Sequence, residues 1–258
     1  MAAAPRPHIS LILPAFNEAA TIARTVGEAA AYFTRRGWIY QIIVAADGED
    51  DTRAIAARIA LENPAVAVTG NRERLGKGRG VRTAMAHATG DIVGFADADN
   101  KVPIQEFDKF QAKFAGGFDI AIGSRALDPS MVRQPQPWYR RIGSRGFAIA
   151  LHAILGLAEF PDTQCGFKFF RREIAERIFR LQKIDGYMFD IEILALAQKM
   201  GLRVAQIPVE WRDDRDSRLE LVRGNMQNLR DVFRIRRAMR SIDVAEFAGT
   251  ERGRATYS

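Results

Sequence analysis

Short apolar runs alternate with stretches of helical periodicity through the first half of this chain, and that alternation limits the fold more than any other feature. SLILP (10–14), QIIVAAD (41–47), AVAVT (65–69), DIVGFAD (91–97) and FDIAIGS (118–124) read as strands. After the first strand Ile22, Val26, Ala29 and Phe33 recur at helical spacing, and 51–62 and 77–88 read as further helices. Strands separated by helices of this length predict an α/β fold with a mostly parallel central sheet, helices on both faces, and ligands beyond the carboxyl ends of the strands. Pro14, Asp47, the pair Asp97 and Asp99, and Arg125 each fall at or just past such an end.

Beyond about residue 130 the alternation weakens. RQPQPW leads into a helix from about Trp138, followed by a loop carrying DTQCGFKFF, a helix over 187–200, a strand RVAQIPV and a basic helix. With 258 residues, 47% of them hydrophobic, one large core is expected, so 1–240 reads as a single domain and 241–258 as a flexible tail. The sole cysteine, Cys165, excludes an intrachain disulfide framework and any multi-cysteine metal site, which suits a reducing compartment. No signal-peptide core precedes the first strand, and the longest apolar run, 146–158, is too short to span a bilayer. A cytoplasmic protein without transmembrane helices is expected.

The net charge of +7 is unevenly spread: residues 221–240 hold six arginines against the single acid Asp231. Val222, Met226, Leu229 and Phe233 form an apolar stripe beside Arg223, Arg230, Arg234 and Arg237, which makes a basic amphipathic helix over 219–240. Such a helix either packs on the core with a solvated arginine face or rests on an anionic membrane surface. Interleaved stacking aromatics and base-reading motifs are missing from this segment, so no nucleic-acid partner is expected.

Asp97-Ala98-Asp99 ends an apolar strand. Alternation places both carboxylates on one side, where they repel unless a cation lies between them or one is protonated. Hard oxygen ligands suit Mg or Mn bridging to substrate phosphates; the plainer alternative is a pair of turn aspartates. RLGKGRG (74–80) is a glycine-rich basic turn opening a helix, where backbone N–H groups and Lys77 can face an anion. Its spacing is neither that of a P-loop nor of a dinucleotide fingerprint. Asn17 can cap the first helix, while Glu18 and Asp47 can accept hydrogen bonds from a ribose or a base.

LILPAFNEAATI, ADGEDDT, GKGRGVRTAM, FADADN, AIGSRAL, DTQCGFKFF, FDIEIL and IPVEW follow one another in an order that resembles the family 2 glycosyltransferases of GT-A (Rossmann-like) fold. The likeness is to the polyprenyl-phosphate (dolichyl-phosphate) glucosyltransferase and mannose synthase branch, over roughly residues 8–237. It implies a nucleotide-sugar half over 8–125 and an acceptor half over 126–240. Pro14, Ala15 and Glu18 match the nucleotide-contacting segment, Asp47 the base-reading aspartate, and Asp97 and Asp99 the metal-binding pair, with Ala98 against the nucleotide. Arg125, Arg140 and Ser144 match positions that hold the acceptor phosphate, and Lys168 stands as a further cation near the phosphates. Three features depart from the pattern. Residues 46–52 replace DDGS-x-D-x-T without its first aspartate, Lys101 stands where some mannose synthases have a glutamine ligand, and the membrane segments of many relatives are missing.

The resemblance implies an inverting, metal-dependent transfer of a hexose, glucose from UDP-glucose or else mannose from GDP-mannose, to a polyprenyl phosphate. The enzyme would be peripheral on the cytosolic membrane face, through the basic helix and the apolar stretch from Phe147 to Leu157. An anionic phosphate acceptor needs no general base; a sugar hydroxyl would need a carboxylate, and Asp190 or Glu192 are the candidates. On a helix these two face differently, so at most one enters the site, the other being solvated or paired with an arginine. A non-catalytic sugar-nucleotide-binding protein is disfavoured by the joint presence of Asp97, Asp99, Arg125 and Arg140.

Overall fold

The computed structural model describes residues 6–128, 131, 154–212 and 224–242. Apolar runs from the first half become β1 (Ile9–Phe16), β2 (Tyr40–Asp47), β3 (Val66–Thr69), β4 (Ile92–Ala96) and β5 (Ile120–Ser124). They are joined by α1 (Ile22–Arg35), α2 (Thr52–Glu62), α3 (Lys77–Met85) and α4 (Phe107–Ala115). β6 (Phe167–Arg171), α5 (Arg172–Leu181), α6 (Phe189–Lys199), β7 (Val204–Pro208) and α7 (Gly224–Ser241) follow.

The strands form one seven-stranded sheet in the order β3-β2-β1-β4-β6-β5-β7. β1 pairs in parallel with β2 and β4, β2 with β3, and β5 with β7. β6 alone runs antiparallel, between β4 and β5. The chain winds outward from β1 through β2 to β3 and returns to β4 on the other side, so the crevice beyond β1 and β4 is a topological switch point, where ligands of such sheets bind.

Each face of the sheet buries its own cluster. One contains Leu11, Leu13, Ile42, Val44, Phe107, Phe110, Phe167 and Phe169 under α1 and α4. The other contains Ile12, Ile43, Phe95, Ile120 and Phe170 under α5, α6 and α7. Burying each of these phenylalanines stabilises the fold by about 1.5–3 kcal/mol.

The structure corrects the reading of DTQCGFKFF as a loop: Phe167–Arg171 is a strand. Both of its faces are covered, Phe167 and Phe169 by one cluster and Phe170 by the other, so polar alternation is lost and the lysine between them mimics a surface segment. Helices α4 and α5 are two further elements the sequence reading did not assign. In α7 the core-facing stripe is Val232 and Ile235, with Met239 and Ile242 packed alongside, while Leu229 and Phe233 are exposed. The helix from Trp138, most of Phe147–Leu157 and the tail from 243 lie outside the described residues, although Leu157 is buried in the core. Among the described residues no helix is long and apolar enough to cross a membrane.

Candidate active site

Past the end of β4 the chain turns sharply, Asn100 donating its N–H to the Asp97 carbonyl from a left-handed backbone at φ 57°. Two side chains of α1 pin this turn. Thr25 donates its hydroxyl to the Ala98 carbonyl at 2.8 Å, and Glu28 accepts from the Asn100 amide at 2.7 Å. Asp97 N–H donates to the Gly166 carbonyl at 3.0 Å. A Cβ at Gly166 would overlap the Asp97 carboxylate, so glycine there is what admits it.

Four charges of alternating sign run inward from this turn. The Lys77 ammonium lies 2.7 Å from Asp97 Oδ1 and 3.9 Å from Asp190 Oδ2. Asp190 Oδ1 in turn accepts from Lys168 at 2.5 Å, and Lys168 also donates to the Cys165 carbonyl at 2.7 Å. Burial opposes the Lys77 charge, but Asp97 and Asp190 outweigh it and hold the ammonium above its ordinary pKa. Lys77 opens α3, whose preceding Gly76 has φ 104° and packs so closely on the Asp185 carbonyl that a Cβ would overlap it. The glycine-rich turn is therefore docked on the α5–α6 loop, with Arg79 N–H donating to that same carbonyl at 3.2 Å.

Asp99 faces Lys101 at 3.1 Å and accepts the Lys101 N–H at 3.3 Å. Burial and then the Asp97 charge raise its pKa, against the opposing pull of Lys101. Among the described residues no group of three histidine, cysteine or acidic side chains forms a metal cage. Two adjacent carboxylates whose charges work against one another are nevertheless a hard-oxygen pair that fits Mg or Mn, with substrate phosphate and water completing the shell.

At the end of β5 Arg125 is clasped by Asp162, donating from Nε at 2.7 Å, from Nη2 at 2.8 Å and from its backbone N–H at 2.9 Å. Although burial opposes ionisation of Asp162, Arg125 holds its carboxyl below the usual carboxylate range. Asp162 lies in the DTQCGFK stretch, and the sequence reading gave it no role; an acid beside Arg125 is legible only once β6 is known to begin next to the end of β5. Thr25 and Glu28 were missed for a similar reason, since their helix periodicity says nothing about which loop they face.

The remaining predicted residues divide between the rim and the interior. Asp47 accepts the backbone N–H groups of Asn71 and Leu75, both at 3.0 Å, and so shapes the 71–75 loop beside a cleft of about 190 Å³. Glu18 accepts from Thr21 at 2.9 Å, and its N–H donates to Thr52 at 2.8 Å. Asn17 is no helix cap: the residue preceding α1 is Thr21, and Asn17 takes a left-handed φ of 56°. Pro14 and Ala15 lie near the end of β1, and Ala98 is buried beneath the turn. Lys168 is 0% exposed and lies beneath the site, not on its surface. Asp190 and Glu192 are both buried, so neither is solvated, and Glu192 accepts the N–H groups of Lys183 and Ile184. Burial pushes the Cys165 thiol up to about 12, which leaves it a packed residue. Arg140 and Ser144 lie outside the described residues.

The sequence profile of Glycosyl transferase family 2 matches residues 10–179. A dolichyl-phosphate beta-glucosyltransferase of Trichomonas vaginalis is 31% identical over 225 residues, which span 83% of this chain and 66% of that relative. One of Drosophila melanogaster is 30% identical over 245 residues, 90% of this chain and 75% of the relative. Among solved structures, glucosyl-3-phosphoglycerate synthase from Mycobacterium tuberculosis, in complex with Mn2+, uridine diphosphate and glucosyl-3-phosphoglycerate, matches with a TM-score of 0.62. That match, at 23% identity over 89% of this chain and 80% of the other, establishes likeness of fold.

Proposed function

The chain belongs to glycosyl transferase family 2, and from that premise we propose that it transfers glucose from UDP-glucose to a polyprenyl phosphate with inversion at the anomeric carbon. The observation that carries this reading is the convergence of Asp97, Asp99, Lys77 and Arg125 beyond the ends of β4 and β5 and at the start of α3. Acids for a cation and bases for two phosphates meet at one edge.

In the reaction an acceptor phosphate oxygen bonds to the anomeric carbon as the bond from that carbon to the diphosphate breaks. The electron pair leaves with the nucleoside diphosphate. Asp97 and Asp99 would hold Mg or Mn, which when bound neutralises the leaving diphosphate. Lys77, at the N-terminus of α3, adds a cation and a helix end directed at the same phosphates. Arg125, oriented by Asp162, retains N–H groups for the acceptor phosphate beyond the two its side chain donates to that acid. Asp47 contributes by fixing the 71–75 loop at the border of the nucleotide cleft.

A phosphate acceptor is favoured over a sugar hydroxyl because the acids that would serve as base are engaged. Asp190 is bonded to Lys168, and Glu192 to backbone amides. A phosphate oxygen is already anionic and gives up no proton on attack.

The test follows nucleoside diphosphate release from a panel of nucleotide sugars, with Mg or Mn and a short polyprenyl phosphate. Release from UDP-glucose stimulated by the lipid, and cut at least about a hundredfold in Asp99→Ala, is the expected result. Lipid-independent release, a preference for GDP-mannose, or robust turnover by Asp99→Ala would each overturn part of the reading: the acceptor, the donor or the metal pair.

A further inference from the structure

Helix α7 carries two apolar stripes, and only one of them faces the core. Val232 and Ile235 are buried against α6 and its neighbours, whereas Leu229 and Phe233, one turn apart, are 49% and 53% exposed. Arg230, Arg234 and Arg237 flank that outer pair, and all three are exposed. The one acid of the helix, Asp231, is buried and accepts from Arg234 at 3.3 Å. The outward face therefore combines apolar and cationic groups with no exposed carboxylate of its own.

A helix that merely packed on the core would need only its inner stripe; Leu229 and Phe233, one turn apart and bordered by arginine, form a contiguous apolar patch beyond it. Apolar side chains bordered by arginine on one helical face match the boundary between acyl chains and anionic headgroups, where the rings enter and the guanidinium groups meet phosphates. The position of the face agrees with this. Asp231 packs beside Gly186, and the neighbouring Asp185 carbonyl abuts Gly76 at the start of the Lys77 turn. The stretch of α7 around Asp231 thus lies against the loop on which the Lys77 turn rests, with Leu229 and Phe233 on the other side of the same helix stretch.

We propose that this face docks the protein on an anionic lipid bilayer, with Leu229 and Phe233 inserted and Arg230, Arg234 and Arg237 on the lipid phosphates. It rests on the reading of the acceptor as a lipid phosphate, whose head lies at that same boundary. Docking then presents the site to the acceptor's own surface.

Sedimentation of the full chain with vesicles of phosphatidylcholine, with and without phosphatidylglycerol, tests it. Expected is a preference for the anionic vesicles on the order of tenfold or more, weakened by salt and removed by the triple variant Arg230→Gln, Arg234→Gln, Arg237→Gln. Leu229→Ser with Phe233→Ser, both at exposed positions, should weaken binding to the anionic vesicles on the order of tenfold while leaving turnover on a detergent-dispersed short acceptor unchanged. Wild-type protein that stays in the supernatant, or a serine variant that sediments as well as wild type, overturns the proposal. So does a concentration-dependent dimer that the serine variant dissolves, since the face would then belong to a second copy. Vesicle binding intact but no turnover on any lipid phosphate would instead sink the acceptor reading and leave docking standing.

Discussion

Asp190 and Glu192 leave α6 two residues apart, 2% and 1% exposed, toward two differently built regions. Asp190 points into a column of side-chain charge, between Lys168 and Lys77 and so next in line to Asp97. Glu192 points under the α5–α6 loop and takes backbone N–H groups from Lys183 and Ile184. A carboxylate among ammonium groups belongs to a set of long side chains that can re-pair when a diphosphate or a cation arrives. One held by backbone amides moves only if the loop moves. The second region braces the first, because the loop fastened by Glu192 is the one on which Gly76 and Arg79 rest beside Lys77.

The contrast breaks most visibly at Lys168. Lys168→Met leaves Asp190 buried without its nearest cation and should cost about 3–5 kcal/mol in urea unfolding, most of which returns in the double variant with Asp190→Leu. An unchanged midpoint in the single variant would mean that the column carries no tension. Asp162→Asn comes next, at about 1.5–3 kcal/mol, because it weakens charge-assisted bonds to Arg125; the KM for the acceptor should rise with it. Lys77→Met, next to the outer end of the column, should lower nucleotide affinity on the order of tenfold, measured by calorimetry, with a smaller loss of stability than Lys168→Met.

Glu192→Gln is the mildest change, about 1 kcal/mol, since the amide oxygen still accepts one of the N–H groups. Its pH dependence sharpens the comparison. Burial raises the folded pKa of Glu192 even though the amides pull the other way, so its contribution is fully present below its ordinary value near 4.5 and is lost as pH rises through the raised one. The gap between wild type and Glu192→Gln should narrow from acid toward neutral pH. Asp162 behaves oppositely. Its lowered pKa gives stability above its ordinary value near 3.8 that disappears as pH falls through the folded one, so the gap to Asp162→Asn should close in acid. Melting curves of both variants across that range would reveal two slopes of opposite sign, and parallel slopes would refute the contrast.

Much of the first half of the chain was legible because its strands and helices announce themselves by period, and because two acids side by side at a strand end repel unless a cation or a proton joins them. The second half was harder for a physical reason. A strand covered on both faces shows no alternation, so β6 hid in a run of aromatics around Lys168. With β6 missed, the burial of Lys168 and its pairing with Asp190 stayed hidden, and Asp162 had no visible partner. In α7 the apolar residues on the wheel belong to two faces, and only tertiary contacts show which one meets the core. Asp190 and Glu192 were correctly expected to face differently, but the lysines and amides that receive them come from segments distant in sequence.

The reversed strand β6 also orders events as the chain is made. β1, the partner on one side of β4, is already synthesised when β4 emerges, whereas the other edge of β4 has no partner until Phe167–Arg171 emerges. β5 is completed before then and cannot close that edge, because β6 separates the two strands in the finished sheet. Until then the sheet of β1 to β4 has, besides the β3 edge that stays open in the finished sheet, a second unpaired margin at β4, and Asp97 and Asp99 lie next to that margin. Any slowing of translation between β5 and β6 lengthens the interval in which a foreign strand can take the place of β6, and a chaperone that covers an open sheet edge would act in that interval.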